Sequence, residues 1–220
     1  MSKVDVRTFP ISVKASISSR VRSRRIRSSS ERMPETPALI LASASPRRQE
    51  LLASAGLRFT VEPPAVDESI PEGEPPDQAV ERLALAKAEA VFRRHPDRLV
   101  LAADTVVVLG DAILGKPRSP EEAEAMLQRL SGRTHEVITG VALRGPDRRE
   151  HFHVRTEVEF RALGNEEIRT YVRGGEPMDK AGAYAIQGGA SGFVRAVRGS
   201  YTNVVGLPLA ECIERLRRLP

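Results

Sequence analysis

A single cysteine, Cys212, stands in a chain of 220 residues, which excludes an internal disulfide and fits a reducing, cytoplasmic setting. Long hydrophobic runs are missing too: no apolar stretch approaches the ~18 residues that a membrane-spanning helix needs. No Walker-type or dinucleotide-type glycine motif occurs, so neither of those phosphate cradles is present. There is no CxxC or HExxH spacing and no internal repeat. The N-terminal segment lacks the apolar core of a secretory signal, and no stacking aromatics accompany its arginines.

What charge there is has an uneven distribution. The formal net charge is +5, yet residues 1–36 hold nine Lys/Arg against three Asp/Glu. The remaining 25 basic and 26 acidic residues leave the body at −1. Any basic site in residues 37–220 is therefore a local concentration. The Arg/Ser-rich leader, residues 1–36, has no sustained periodicity and is expected to be disordered. It reads as a loose tail or an upstream extension of the reading frame, with Met33 as an alternative start. A transit peptide is the weaker reading. Nucleic-acid binding is expected only through this leader, if at all.

The body is organised around Leu39–Leu52. Leu39–Leu41 is an apolar run that reads as a buried strand, followed by a small-residue turn, Ala42–Ser45. Pro46 suits a first helical position with Ser45 as its cap, and Arg47 and Arg48 follow in the first turn. A helix start exposes N–H groups and a partial positive charge, and two guanidiniums beside it favour phosphate. A capped surface helix with two solvated arginines is the bland alternative.

Further on, Phe59–Val61 suggests a short strand, and Asp67-Glu68 are adjacent loop acids that matter only if they fold back over the anion site. The pattern predicts a helix from about Asp77 to Arg94 with Val80, Leu83, Ala84, Ala88 and Val91 inward. Lys87 falls on that stripe, so it either snorkels to water or meets an anion in a cleft. Arg98–Leu109, a near-continuous apolar run, reads as a central strand buried on both faces, interrupted by Asp104. A carboxylate there must be paired, metal-bound or open to a cleft. Gly110-Asp111 predicts a hairpin leading to Gly115-Lys116-Pro117. Ser119-Pro120-Glu121-Glu122 predicts a capped helix ended by Ser131-Gly132.

Strands are expected at His135–Leu143 and Glu150–Leu163, with His151 and His153 solvated on the polar face rather than paired on a metal. Asn165 is expected to cap a short helix ending at Gly174-Gly175. The segment Glu176–Gly189 is a polar, glycine-rich loop in which Asp179, Lys180 and Gln187 can hydrogen-bond, Gln187 with one donor and one acceptor for a base edge. Gly199–Asn203 reads as a turn. Gly206-Leu207-Pro208 opens a last helix with Leu209, Cys212, Ile213 and Leu216 inward, so Cys212 reads as core.

Four blocks carry a resemblance: Ser43-Ala44-Ser45-Pro46-Arg47-Arg48; Ala103-Asp104-Thr105-Val106-Val107 with Gly115-Lys116-Pro117; Leu130–His135; and Gly175–Gly188. Together, over about Leu39–Leu216, the chain resembles the Maf family of nucleotide pyrophosphatases. The resemblance implies an α/β fold of the inosine-triphosphatase-like type, a mixed twisted sheet flanked by helices with two lobes and a central cleft. It implies hydrolysis of a nucleoside triphosphate to the monophosphate and pyrophosphate with a divalent cation (Mg²⁺ or Mn²⁺), a house-cleaning role in nucleotide metabolism, and a homodimer. By position it implies Asp104 as proton acceptor, Ser43, Arg47, Arg48, Lys87 and Lys116 as the polar and basic lining of the phosphate cleft, and Glu68 as an acidic residue of that site; Ser45, Asp179, Lys180 and Gln187 complete the expected substrate site. Arg47, Thr105 and Gln187 match positions tied to substrate choice, and Asp104 with Glu68 would hold the metal. The form Lys180-Ala181-Gly182-Ala183-Tyr184 resembles the branch acting on dTTP and UTP, although Ala185 stands where many relatives carry glycine. The alternatives are a 7-methyl-GTP-type pyrophosphatase and a non-enzymatic nucleotide- or DNA-binding regulator of septum formation.

Overall fold

A computed structural model describes residues 39–218. The leader and its expected disorder lie outside the described residues. The chain forms a mixed sheet in the order β2-β1-β3-β5-β6-β7, with β4 paired to β3. Its strands are β1 (Leu39–Ala42), β2 (Phe59–Val61), β3 (Leu99–Leu109), β4 (Ala112–Leu114), β5 (Thr134–Gly145), β6 (Arg148–Phe160) and β7 (Val194–Arg198). The helices are α1 (Pro46–Ser54), α2 (Pro76–Phe92), α3 (Pro120–Leu130), α4 (Asn165–Arg173), α5 (Tyr201–Val205) and α6 (Leu209–Leu216). β1 runs parallel to both β2 and β3, whereas β3, β5, β6 and β7 are successively antiparallel.

β3 shows why a near-continuous apolar run becomes a central strand. Its even positions Val100 and Ala102 pack with Ala84, Ala88 and Val91 of α2. Its odd positions Leu99, Leu101 and Ala103 pack on the other face with Leu52 of α1, Leu207 and Cys212 of α6. A polar residue at either parity must find a partner on that face. A second apolar cluster collects Leu127 and Leu130 of α3, Ile168 and Val172 of α4, and Phe160, Tyr184 and Phe193.

α2 lies very close to the sheet. A Cβ on Gly140 of β5 would come within 2.3 Å of the Val80 carbonyl oxygen, so only glycine permits this approach. Gly140 is also the residue paired with Asp104.

Several local expectations change. Ser45 sits at the N-cap of α1, but its side chain makes no cap bond; its backbone N–H donates to Ser43 Oγ at 3.2 Å. Asn165 is the first residue of α4 and Gly164 occupies the N-cap, without a side-chain cap bond. The polar turn at 199–203 is instead the N-cap and first turn of α5, with Ser200 Oγ accepting from the Asn203 N–H at 3.2 Å. His151 and His153 are not merely solvated: their Nδ1 atoms each lie 2.6 Å from a carboxylate oxygen of Glu81, clasping β6 to α2. The cap of α3 is as read, with Ser119 Oγ accepting from the Glu122 N–H.

Candidate functional site

The pairing of β3 leaves a gap. β1 ends opposite Ala102, and β4, running antiparallel, pairs only with Val107–Leu109, both on the edge of β3 away from β5. Residues 103–106 therefore have a sheet partner on one side only. A cavity of about 560 Å³ opens there, within the usual size range for a small-molecule site. The same register that buries β3 thus exposes Asp104 and Thr105 at a break in the sheet.

Every residue singled out from the sequence lines this one cavity: Ser43, Ser45, Arg47, Arg48, Glu68, Lys87, Asp104, Thr105, Lys116, Asp179, Lys180 and Gln187. They come from the β1–α1 turn, the loop before α2, α2 itself, β3, the segment after β4 and the 176–189 loop. Five cationic and three carboxylate side chains give the lining a net charge of +2.

Asp104, at an even position of β3, faces α2. There it meets Lys87, whose Nζ lies 2.6 Å from Asp104 Oδ1 and 2.7 Å from Glu68 Oε1. Lys87 is only 5% exposed, so it does not snorkel to water; two carboxylates compensate its burial. Glu68 reaches it because its loop folds back over α2. Arg82 of α2 donates to the Ser69 carbonyl oxygen and pairs with Glu74, while Asp67 turns away to accept from the Ser69 N–H. Lys116 Nζ stands 3.7 Å from the other Glu68 oxygen. Desolvation raises the Glu68 carboxyl, but the bond and charge of Lys87 outweigh it and hold it below its usual value.

Arg48 lines the cavity with three of its five N–H donors engaged inside the protein. Nε donates to the Gly206 carbonyl at 2.8 Å, Nη1 to Ser43 Oγ at 3.2 Å and Nη2 to Thr105 Oγ1 at 3.1 Å. Burial lowers its pKa, and the charge of Asp104 opposes that shift. Arg48 is thus a strut between α1, β3 and the end of α5. Arg47, in contrast, has no side-chain partner among the described residues, nor has Gln187, which is exposed. Lys180 pairs with Asp179.

Thr105, at an odd position, faces away from Lys87. Its hydroxyl lies 3.0 Å from that of Thr139, which donates to the Asn203 carbonyl at 3.1 Å. The buried Asn203 amide donates to Val137 O and Thr156 Oγ1. Thr139 and Asn203 escape sequence reading, because a threonine in a strand and an asparagine in a polar turn are unremarkable until α5 docks on β5.

The 176–189 loop is pinned from beneath. Its three 3-10 turns, Glu176–Asp179, Ala181–Ala183 and Gly189–Phe193, hold Gly182 at φ +67° and Ala183 at φ +60°. A Cβ on Gly182 would also meet Val107 at 2.9 Å. Ala183 is the only non-glycine residue with positive φ among those described, and such strain persists only where packing enforces it. Ala185 is not strained in this way, so its methyl group is accommodated. Tyr171 Oη donates to Glu176 Oε1 at 2.8 Å and accepts from the Ala185 N–H at 3.1 Å. Burial, with the Glu176 carboxylate beside it, raises the Tyr171 phenol.

Below the loop, Tyr184 Oη lies 2.9 Å from Nε2 of the buried His135. Burial lowers that imidazole to about 4. A histidine held neutral in the fold contributes full stability above its unfolded value near 6.5, and that stability falls as pH drops toward 4. The loss reaches roughly 3 kcal/mol at most. His135→Gln should flatten the decline between pH 6.5 and 4, checked by urea unfolding across that range; an unchanged pH slope would contradict this account.

Asp104 and Glu68, two carboxylates on one cavity, are the residues that could hold a hard cation here. Among the described residues no group of three or more His, Cys, Asp or Glu converges into a metal cage. No described helix is long and apolar enough to cross a membrane.

A family model described as Maf-like protein matches residues 38–219. The chain is 57% identical over 180 residues to a Myxococcus xanthus (strain DK1622) protein named dTTP/UTP pyrophosphatase, covering 82% of this chain and 91% of that protein. It is 52% identical over 181 residues to a Geobacillus sp. (strain WCH70) protein of the same name, covering 82% and 97%. Among solved structures it is similar to the Staphylococcus aureus Ham1 protein, with a TM-score of 0.38 at 18% identity over 56% of this chain and 71% of that one.

Proposed function

This chain belongs to the Maf-like family, and from that premise we infer that it is a nucleoside triphosphate pyrophosphatase that hydrolyses dTTP and UTP to the monophosphate and pyrophosphate. The observation that carries the reading is the convergence of Lys87, Asp104 and Glu68 with four further cationic side chains on one cavity at the break in β3.

Attack at a phosphorus inside a triphosphate develops charge on oxygens that are already anionic, so catalysis is mostly neutralisation and positioning. Arg47, without a described side-chain partner, and Lys116, held only by its 3.7 Å contact with Glu68, can turn onto the phosphates, aided by the first backbone N–H groups of α1. Ser43 Oγ accepts from both the Ser45 N–H and Arg48, so its own proton is left to donate to a phosphate oxygen. Asp104 holds Lys87 through Oδ1, while Oδ2 accepts from no described residue and is assigned the proton of the attacking water. Asp104 and Glu68 are the residues that would hold a divalent cation. When bound, the cation adds charge neutralisation and eases deprotonation of water. Gln187 is assigned to the base.

The test is a nucleotide panel with pyrophosphate detection, with and without Mg²⁺ or Mn²⁺. Release of pyrophosphate from dTTP and UTP, dependent on metal, is expected. Orthophosphate as first product, or a preference for a methylated purine triphosphate, would overturn the assignment.

A further inference from the structure

One turn at the rim of the cavity is held from both ends by a single pair of side chains. Ile186 and Gln187 are its central residues, and the Gly188 N–H closes it by donating to the Ala185 carbonyl at 3.1 Å. At each end the backbone is bonded a second time. The Ala185 N–H donates to Tyr171 Oη at 3.1 Å, and the Gly189 N–H donates to Glu176 Oε2 at 3.1 Å. The Tyr171 hydroxyl then donates to Glu176 Oε1 at 2.8 Å and joins the two anchors. Burial and the adjacent carboxylate raise the phenol, so its proton stays in place. The Tyr171 ring is itself fixed edge-on against Phe193, 5.1 Å between centroids. Tyr171 comes from α4 and Glu176 from the start of the loop, and neither lines the cavity.

The turn brings Ala185, Ile186 and Gln187 to the cavity, which is apolar surface and one amide without any charge. The charge that suits phosphates arrives on other elements, Lys87 on α2 and Lys116 after β4. An uncharged wall fits the nucleoside half of a ligand. We propose that Tyr171 and Glu176 are positioning residues that hold this wall in its binding shape, so that a nucleoside meets a turn already ordered. The effect is on the grip of a nucleoside as such, not on the choice among bases, and it rests on the pyrophosphatase reading for the class of ligand. Ordering the turn in advance removes an entropy cost from binding. Gly188 shows how closely the carboxylate is fitted. The three atoms nearest to a Cβ added there all belong to the Glu176 carboxylate, and they would overlap it. With φ at −108°, the backbone of Gly188 lies outside the left-handed region. Gly188→Ala therefore displaces the carboxylate and breaks both anchors while leaving Tyr171 and Glu176 in the chain.

The test separates nucleoside from phosphate and binding from turnover. Calorimetry on the intact protein measures affinity for two probes, the α,β-methylene analogue of dUTP and inorganic tripolyphosphate, which has no nucleoside. Hydrolysis of dTTP and UTP is followed separately. Tyr171→Phe keeps the ring against Phe193 and removes only the hydroxyl. It should weaken the dUTP analogue about three- to tenfold and change tripolyphosphate by less than about twofold. KM for dTTP should rise while kcat stays within about twofold of wild type. Gly188→Ala should show the same signature, and adding it to Glu176→Ala should cost nothing further, because the carboxylate it displaces is already gone. A merely structural role would weaken both probes alike. That result, a Tyr171→Phe variant that binds like wild type, or additive losses in the double variant would each overturn the positioning roles, and the enzymatic reading would stand if wild type still cleaves dTTP and UTP. If the two probes separate as expected but wild type releases no pyrophosphate from any triphosphate, the positioning roles stand and the enzymatic reading fails. Wild type that binds neither probe overturns both.

Discussion

Asp104→Asn should lower kcat on dTTP by on the order of 10²- to 10⁴-fold, the range for loss of a positioned general base, with little change in unfolding temperature. The substitution is nearly isosteric, and the amide oxygen still accepts a bond from Lys87. The fold survives because Lys87 keeps a full counter-charge: Glu68 Oε1 remains 2.7 Å from Nζ after the Asp104 charge is gone. That second carboxylate distinguishes this site from an isolated buried ion pair, where removing one partner costs about 3–5 kcal/mol. Pyrophosphate release and a thermal melt on the same preparation check both halves. Wild-type kcat in the variant would exclude Asp104 as the proton acceptor; a collapsed melt would show that Glu68 does not compensate Lys87.

Gly140→Ala should be nearly as damaging, by a different route. The added methyl carbon meets the Val80 carbonyl oxygen at 2.3 Å and the Glu81 nitrogen at 2.7 Å, all backbone atoms of α2. A helix cannot yield by an ångström at one point without shifting along its length, and Lys87 lies two turns further on. Overpacking of this kind should cost roughly 2–4 kcal/mol. For a domain of this size that is a drop of roughly 5–15 °C in Tm. Because Lys87 and Glu81 both ride on α2, the shift should also separate Lys87 from Asp104 and loosen the His151–Glu81–His153 clasp. Residual folded protein should therefore show lowered kcat as well. A variant with wild-type Tm would mean that α2 sits further from β5 than described.

The distance between sequence and structure is uneven along the chain. β3 was legible to within one residue, Arg98–Leu109 against the observed Leu99–Leu109, because a long apolar run with one carboxylate has few other uses. The buried stripe of α2 was legible from its period, and Lys87 declared itself as the residue that broke the pattern. Caps were less legible. Ser45 and Asn165 have the right chemistry, yet Ser43 Oγ takes the amide near one helix start and the backbone of Gly164 the role at the other. Arg48 looked like a twin of Arg47 because the two share a turn. Its partners Thr105 and Gly206 are 57 and 158 residues away in the chain, so no local pattern shows that Arg48 is anchored inside the protein while Arg47 is not.

The amino-acid sequence by itself determined the apolar run of β3, the inward stripe of α2, the capped start of α3 and, through four spaced blocks, the family. Those properties follow from periodicity and side-chain chemistry, which are local. Only the tertiary structure decided where the β3 edge opens, because that depends on β1 stopping opposite Ala102 and the β4 pairing reaching no further than Val107 on the same side. It likewise decided that Lys87 is shared by two carboxylates and that Arg48 is anchored to Ser43, Thr105 and Gly206. Each of these depends on contacts between segments distant in the chain, and those contacts form only when the fold brings the segments together.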